Sequence, residues 1–258
     1  MIRHANDESN EGVAKEKIYL KNEALFCTGN SELARTNNEA ALLIDDGKYT
    51  EAIDIIQKEL PKASLFFPYR YNLGLAYMHL EKFPIAMMHF EKAQMIVPDY
   101  SRTYLQMGYI HVLWNKENTA IDYYREGMKK NKKELNTFIL IGDIYYNRNQ
   151  VEIADKYYTA SLNINPRFPN GLLGKAKIHF KREEYYKAIV MLKGINTSGD
   201  YDKSYHFFFA ESAFKLKDYN TAAIHYEKLM EFRNDRFFIT NSPALIKHKL
   251  ELAKKFIE

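Results

Sequence analysis

Residues 71–98 read YNLGLAYMHLEKFPIAMMHFEKAQMIVP. Two small residues, Gly74 and Ala86, stand twelve positions apart in it, with the large Tyr77 and Phe90 beside them. Moving outward by 34 residues in either direction returns the same arrangement. The alanine recurs as Ala52, Ala86, Ala120, Ala154, Ala188 and Ala222. Its small companion recurs as Ala40, Gly74, Gly108, Gly142, Ala176 and Ala210. Two small positions repeated at a fixed interval mark a stack of like supersecondary units.

Each interval carries two helical patterns. Phe138, Ile141, Gly142 and Tyr145 follow the i, i+3, i+4, i+7 spacing of one helix face, and Ala154, Tyr158 and Ser161 follow it on the next. Short polar turns such as Gly47-Lys48-Tyr49 and Asp218-Tyr219 separate them, which predicts an antiparallel helical hairpin. Gly142 facing Ala154 lets two backbones approach, with the large residues filling the space around that contact. Pro98 and Pro166 close units, and Pro68 and Pro169 suit a first helical turn. No strand is expected anywhere.

The pattern resembles the tetratricopeptide repeat family. The Leu73-Gly74, Tyr77, Ala86, Phe90, Ala93, Pro98 series carries the resemblance, as does Tyr104, Met107-Gly108, Ala120, Tyr124. The fourth unit joins them through Phe138, Ile141-Gly142, Tyr145, Ala154, Tyr158 and Pro166. The resemblance implies an all-α fold: an α-solenoid, a right-handed superhelix of six helix-turn-helix repeats with terminal capping helices. The repeats fall at 33–66, 67–100, 101–134, 135–168, 169–202 and 203–236. Residues 1–12 are polar and predicted disordered. Residues 13–32 are read as an N-terminal helix, its helical run from Val13 to Thr28, with Ser31 capping the helix that follows. Residues 242–258 are read as a capping helix opened by Ser242-Pro243. Gly194 to Asp200 reads as a loosened junction before the sixth repeat.

The resemblance also places the first helix of each repeat on a concave face. The residues expected there for partner binding are Tyr71, Leu75, Arg102, Leu105, Tyr109, Ile139, Asp143, Leu173, Lys177 and Phe207. Two explanations of their apolar character stand side by side. Packing between hairpins accounts for Met78, Val112, Tyr146, Phe180 and Phe214 in particular. An open groove for a partner's extended peptide or amphipathic helix accounts for the tyrosines and leucines. A chaperone-tail carboxylate clamp is poorly matched. Asn72 and Arg102 fit it, but the first unit offers Asn37 and Ala41 for a lysine and an asparagine, and Gln106 stands where the arginine would be.

Composition narrows the function. The chain has 258 residues, a net charge of +4 and no long basic stripe, so nucleic acid is not the expected partner. The cluster Lys129, Lys130, Lys132 and Lys133 suits a solvated turn after a helix. Its only cysteine, Cys27, can form no internal disulfide and reads as a small buried apolar residue. The histidines lack zinc-ligand spacing, and His111 and His179 sit where tyrosines stand in other units, as packed rings. No phosphate-binding or dinucleotide loop appears. No cofactor, no metal, no membrane span and no enzyme activity are expected. The expected function is a non-enzymatic adaptor, a scaffold for protein or peptide partners. The alternative is a structural subunit of a cell-envelope or secretion assembly, binding through its convex face or capping helix. The polar N-terminus reads as cytoplasmic, or periplasmic if a leader has been removed; oligomeric state stays open.

Overall fold

The computed structural model describes residues 17–195, 203–232 and 242–257. The expected disordered segment 1–12 and most of the expected loosened junction, from residue 196 on, lie outside the described residues. The chain divides into two compact units, Met1–Thr137 and Phe138–Glu258.

The first unit opens with two short strands, β1 (Ile18–Lys21) and β2 (Ala24–Cys27), followed by α1 (Glu32–Asp45) and α2 (Tyr49–Glu59). Next come α3 (Phe67–His79), α4 (Phe83–Ile96), α5 (Ser101–Leu113) and α6 (Glu117–Lys130). Helices pack in consecutive pairs, α1 on α2, α3 on α4 and α5 on α6, while α1, α3 and α5 meet in succession. The boundary between the units falls inside α7 (Leu135–Asn147). The second unit continues with α8 (Val151–Ile164), α9 (Pro169–Lys181), α10 (Tyr185–Lys193), α11 (Lys203–Lys215), α12 (Tyr219–Glu231) and α13 (Pro243–Lys255). There α9 pairs with α10, α11 with α12, and α13 packs on α12. Each unit is thus a stack of helical hairpins, the α-solenoid architecture.

The turn inside each hairpin shows why the period holds. Gly47, Glu81, Asn115, Asn149, Glu183 and Lys217 all have φ between +56° and +76°, and they recur every 34 residues. Each is the left-handed residue that ends a first helix. The next residue's N–H then bonds back five positions, as in Lys48 to Leu43, Lys82 to Tyr77, Lys116 to His111 and Asp218 to Ala213. This is the Schellman stop, which satisfies the last carbonyls of the helix. Gly47 announces it most plainly and Asn115 and Asn149 suit it, while Glu81, Glu183 and Lys217 give no sign.

The glycines act differently from the expected backbone contact. A Cβ on Gly74 would lie 2.6 Å from the Phe90 ring, one on Gly108 2.4 Å from Tyr124, and one on Gly142 2.6 Å from Tyr158. Each glycine clears space for the aromatic four residues after the repeat alanine. The rings so seated, with Tyr226 in the last hairpin, are fully buried. Ala stands in place of Gly at Ala40, Ala176 and Ala210; the residue four after the repeat alanine is the smaller Ile56 or Leu192 for the first two and Tyr226 for the third.

The N-terminal helix expected over 13–32 is not what forms. Its described part is an antiparallel β-hairpin, with Ile18 opposite Cys27 and Lys21 opposite Ala24. The reason lies in the apolar period. Ile18 and Leu20 alternate with Tyr19 and Lys21, and the burial alternates with them. Asn22 turns the chain at φ +51°, which suits asparagine. At the other end Ser242 precedes Pro243 at the start of α13, with no capping hydrogen bond from the Ser242 side chain.

Candidate partner-binding face

In the first unit the face built by α1, α3 and α5 already holds a segment of the chain itself. β2 lies against α1 and α3. Its outer edge, which a lone hairpin would leave unpaired, meets asparagine side chains instead. Asn72 accepts the Leu25 N–H at 2.9 Å and donates to the Leu25 carbonyl at 2.8 Å. Asn38 accepts the Cys27 N–H at 2.7 Å and donates to the Cys27 carbonyl at 2.8 Å. Asn37 donates to the Leu25 carbonyl at 2.7 Å and accepts from Asn72. Asn38 and Asn72 are 34 residues apart, so equivalent positions on neighbouring hairpins read alternate residues of one strand through the same paired geometry.

The tip of the hairpin is fastened by polar contacts. Asn22 donates to Asp45 at 3.2 Å, and Glu23 pairs with His79 at 3.1 Å. The hydrogen bond from His79 holds the Glu23 carboxyl below the usual range, against the opposing effect of burial. His79 in turn stacks on Tyr49.

This arrangement corrects the expected groove. Tyr71 and Leu75 have no exposed surface. Tyr71 sits among the rings of Phe67, Phe90 and Tyr100, and burial pushes its hydroxyl up to about 12. Leu105 is buried as well. Tyr71 and Leu75 belong to one buried cluster that also takes in Leu25 and Phe26 of the hairpin, so packing between hairpins and the seated strand together leave neither free for a partner. What stays accessible is a stripe on α5. Arg102 and Gln106 are partly exposed, Tyr109 is 42 % exposed, and Leu113 follows one turn on. The i, i+4, i+7, i+11 spacing puts them on one side of the helix. Arg102 also pairs with Glu134 at 3.3 Å.

In the second unit the expected binding residues engage one another. Tyr158 donates its hydroxyl to Asp143 at 2.6 Å, and Lys177 reaches the same carboxylate at 3.0 Å. The device recurs further along the chain. Tyr226 donates to Glu211 at 2.7 Å, and Lys249 of α13 holds both oxygens of Glu211 at 2.6 Å. Burial, followed by the adjoining carboxylate, raises both tyrosine hydroxyls well above their ordinary range. Asp143 and Lys177 are thus structural partners across a hairpin junction, not a pair of vacant contacts. Leu173 is buried, Ile139 packs on the Ala154, Tyr158 and Ile178 cluster, and Phe207 lies half-buried against Phe208. Phe180 meets Phe208 of the next hairpin at 5.4 Å, so packing between hairpins explains its apolar character.

The amide pair Asn38 and Asn72 was missed because polar residues on a first helix read as solvated. Their 34-residue spacing is the signal that would have found them. His111 stacks on Tyr123, and His179 bonds Glu184 at 2.6 Å, so both rings pack as expected. Among the described residues no three metal-ligating side chains cluster, and no helix is long and apolar enough to cross a membrane.

Comparison with known proteins agrees with this architecture. Residues 143–229 match the family described as anaphase-promoting complex, cyclosome, subunit 3. The chain is 21 % identical to the TPR repeat-containing protein YpiA of Bacillus subtilis, over 95 % of this chain and 59 % of that protein. It is 30 % identical to the TPR repeat-containing protein MJ1428 of Methanocaldococcus jannaschii, over 55 % of this chain and 25 % of that protein. It therefore spans less than two thirds of either relative. Among solved structures, PilF of Pseudomonas aeruginosa superposes with a TM-score of 0.65 at 17 % identity, covering 79 % of this chain and 92 % of that one. The chain is thus similar to tetratricopeptide repeat proteins in sequence and in fold.

Proposed function

We propose that this chain is a non-enzymatic scaffold that receives an extended segment of a protein partner on the first-helix face of its first unit. One observation carries the reading. That face already holds an extended strand through paired amide–backbone bonds, which recognise a polypeptide main chain irrespective of its side chains. The accessible stripe of Arg102, Gln106, Tyr109 and Leu113 lies on the next first helix. An exposed tyrosine and arginine are residue types that anchor protein interfaces.

The test is affinity purification from the native cell with the intact chain and with Tyr109→Asp combined with Leu113→Asp. Both positions are exposed, so the double variant keeps its helical circular dichroism. A protein recovered in stoichiometric amount with the native chain should fall at least tenfold with the variant. Equal recovery from both would refute the assignment.

The second reading, an assembly subunit bound through another surface, draws support from α13. Leu245, Phe256 and Ile257 are exposed there. Leu245→Glu with Ile257→Glu separates the two readings, since it changes α13 and leaves the α5 stripe intact.

A further inference from the structure

We infer that the β-hairpin of residues 18–27 is an exchangeable internal ligand, and that an extended, uncharged segment of a partner takes its place. The inference rests on the docking role proposed for this face. It goes further by naming the site, its resident occupant and the chemistry of the replacement.

The seat is built to hold a strand. β2 turns its outer backbone edge to the helices, and both polar groups of Leu25 and of Cys27 are taken by side-chain amides. An amide side chain offers one donor and one acceptor in the geometry of a neighbouring strand. Ala24, Leu25, Phe26 and Cys27 are all buried, so a replacement segment needs four small or apolar residues and no charge.

The same repeat position continues one hairpin further. Asn38, Asn72 and Gln106 are spaced by 34 residues on α1, α3 and α5. Residues 27 and 25 use the first two. The chain then turns away at Asn22 and Glu23, before residue 23 could engage the third as part of a straight strand. A partner segment running straight on would meet Gln106 and then the exposed Tyr109. It would make every backbone contact that β2 makes and add one more rung. The resident strand is short and its tip is anchored by solvent-exposed polar contacts, which are individually weak. The burial of its four residues and their amide bonds sets the cost of release, which is smaller than that of unfolding the whole stack.

Cys27 reports the exchange, because it is the chain's only thiol and lies buried in the strand. The intact protein is treated with a fluorescent maleimide in native buffer, with and without low urea. A synthetic peptide of residues 17–28 carrying Cys27→Ser is the competing probe, with a scrambled peptide as control. We expect labelling far faster than global unfolding allows, with little dependence on urea. The specific peptide should accelerate it at least threefold, and the scrambled one should not. Asn22→Ala with Glu23→Gln, both at the exposed tip, should raise the rate severalfold while leaving the melting midpoint nearly unchanged. Labelling that tracks global unfolding and ignores the peptide would overturn the proposal and leave the hairpin as a permanent cap. A dimer appearing as labelling rises would assign the seat to a second copy of the chain and overturn the partner-strand reading. Neither result depends on the α5 stripe, so the docking reading stands or falls separately.

Discussion

At the scale of single residues, the 34-residue period is enforced by two needs that a sequence displays unequally. Small residues under the aromatic rings are visible, since even a Cβ at Gly74, Gly108 or Gly142 would lie 2.4–2.6 Å from the ring. The left-handed turn position is nearly invisible, because it carries Gly once and Glu, Asn or Lys elsewhere. A non-glycine residue there carries a steric cost that glycine avoids. Lys217→Gly should therefore stabilise the protein by about 1 kcal/mol. A rise in the urea midpoint checks it, and the same change at a helical surface position would lower that midpoint.

Buried histidines set a pH response at the same scale. Burial, aided by Arg70 and Lys92, lowers His89 from 6.5 to about 4. Burial and the neighbouring His206 lower His225 to about 4. Each ring is neutral in the folded chain where the unfolded chain would take up a proton. Their contribution to stability is complete above about 6.5 and is lost as pH falls toward about 4. Glu184, lowered to about 2 chiefly by Lys187 and then by His179, loses its contribution in a lower window, from 4.5 down to about 2. Urea midpoints should fall between pH 7 and pH 4, and His89→Leu should fall less steeply over that range.

At the scale of elements, hairpins were legible and their ends were not. The i, i+3, i+4 pattern and fixed small residues locate the helices, because helical burial repeats along a continuous stripe. The N-terminal segment misleads because it has only four residues per strand, too few for a period to stand out. Ile18, Leu20 and the Asn22 turn were the available signs of a strand. The binding residues were harder still. Tyr71 and Leu75 have the residue types of a groove, and only their neighbours, the rings of Phe67, Phe90 and Tyr100 around Tyr71 among them, make them core. The carboxylate–tyrosine–lysine sets were likewise hidden, since each joins three separate helices. In the second of them, α13 supplies Lys249 where the next hairpin would supply its lysine, which makes it an integral part of the stack. Lys249→Met would leave Glu211 buried without its cation. A loss of about 2–3 kcal/mol is expected, less than for a wholly buried pair because Lys249 is partly exposed. Denaturation of the variant against the native chain measures it.

At the scale of the whole molecule, each unit is stabilised by like contacts between successive hairpins, and its length carries no limit from a single core. Such a fold offers its partners two kinds of surface: the first-helix side, where a strand is already seated, and the second-helix side. The second-helix side is not bare of apolar groups, since Met95 of α4 is 80 % exposed. Ile85 and Met88 of the same helix are exposed as well, but apolar residues scattered over a surface are ordinary.

A photo-reactive amino acid placed at Tyr109 of α5, and separately at Met95 of α4, measures which surface meets the partner in the native cell. Binding on the first-helix face predicts a discrete cross-linked protein from position 109 and none from position 95. Cross-links from position 95 alone would show that the partner sits on the opposite side of the hairpins.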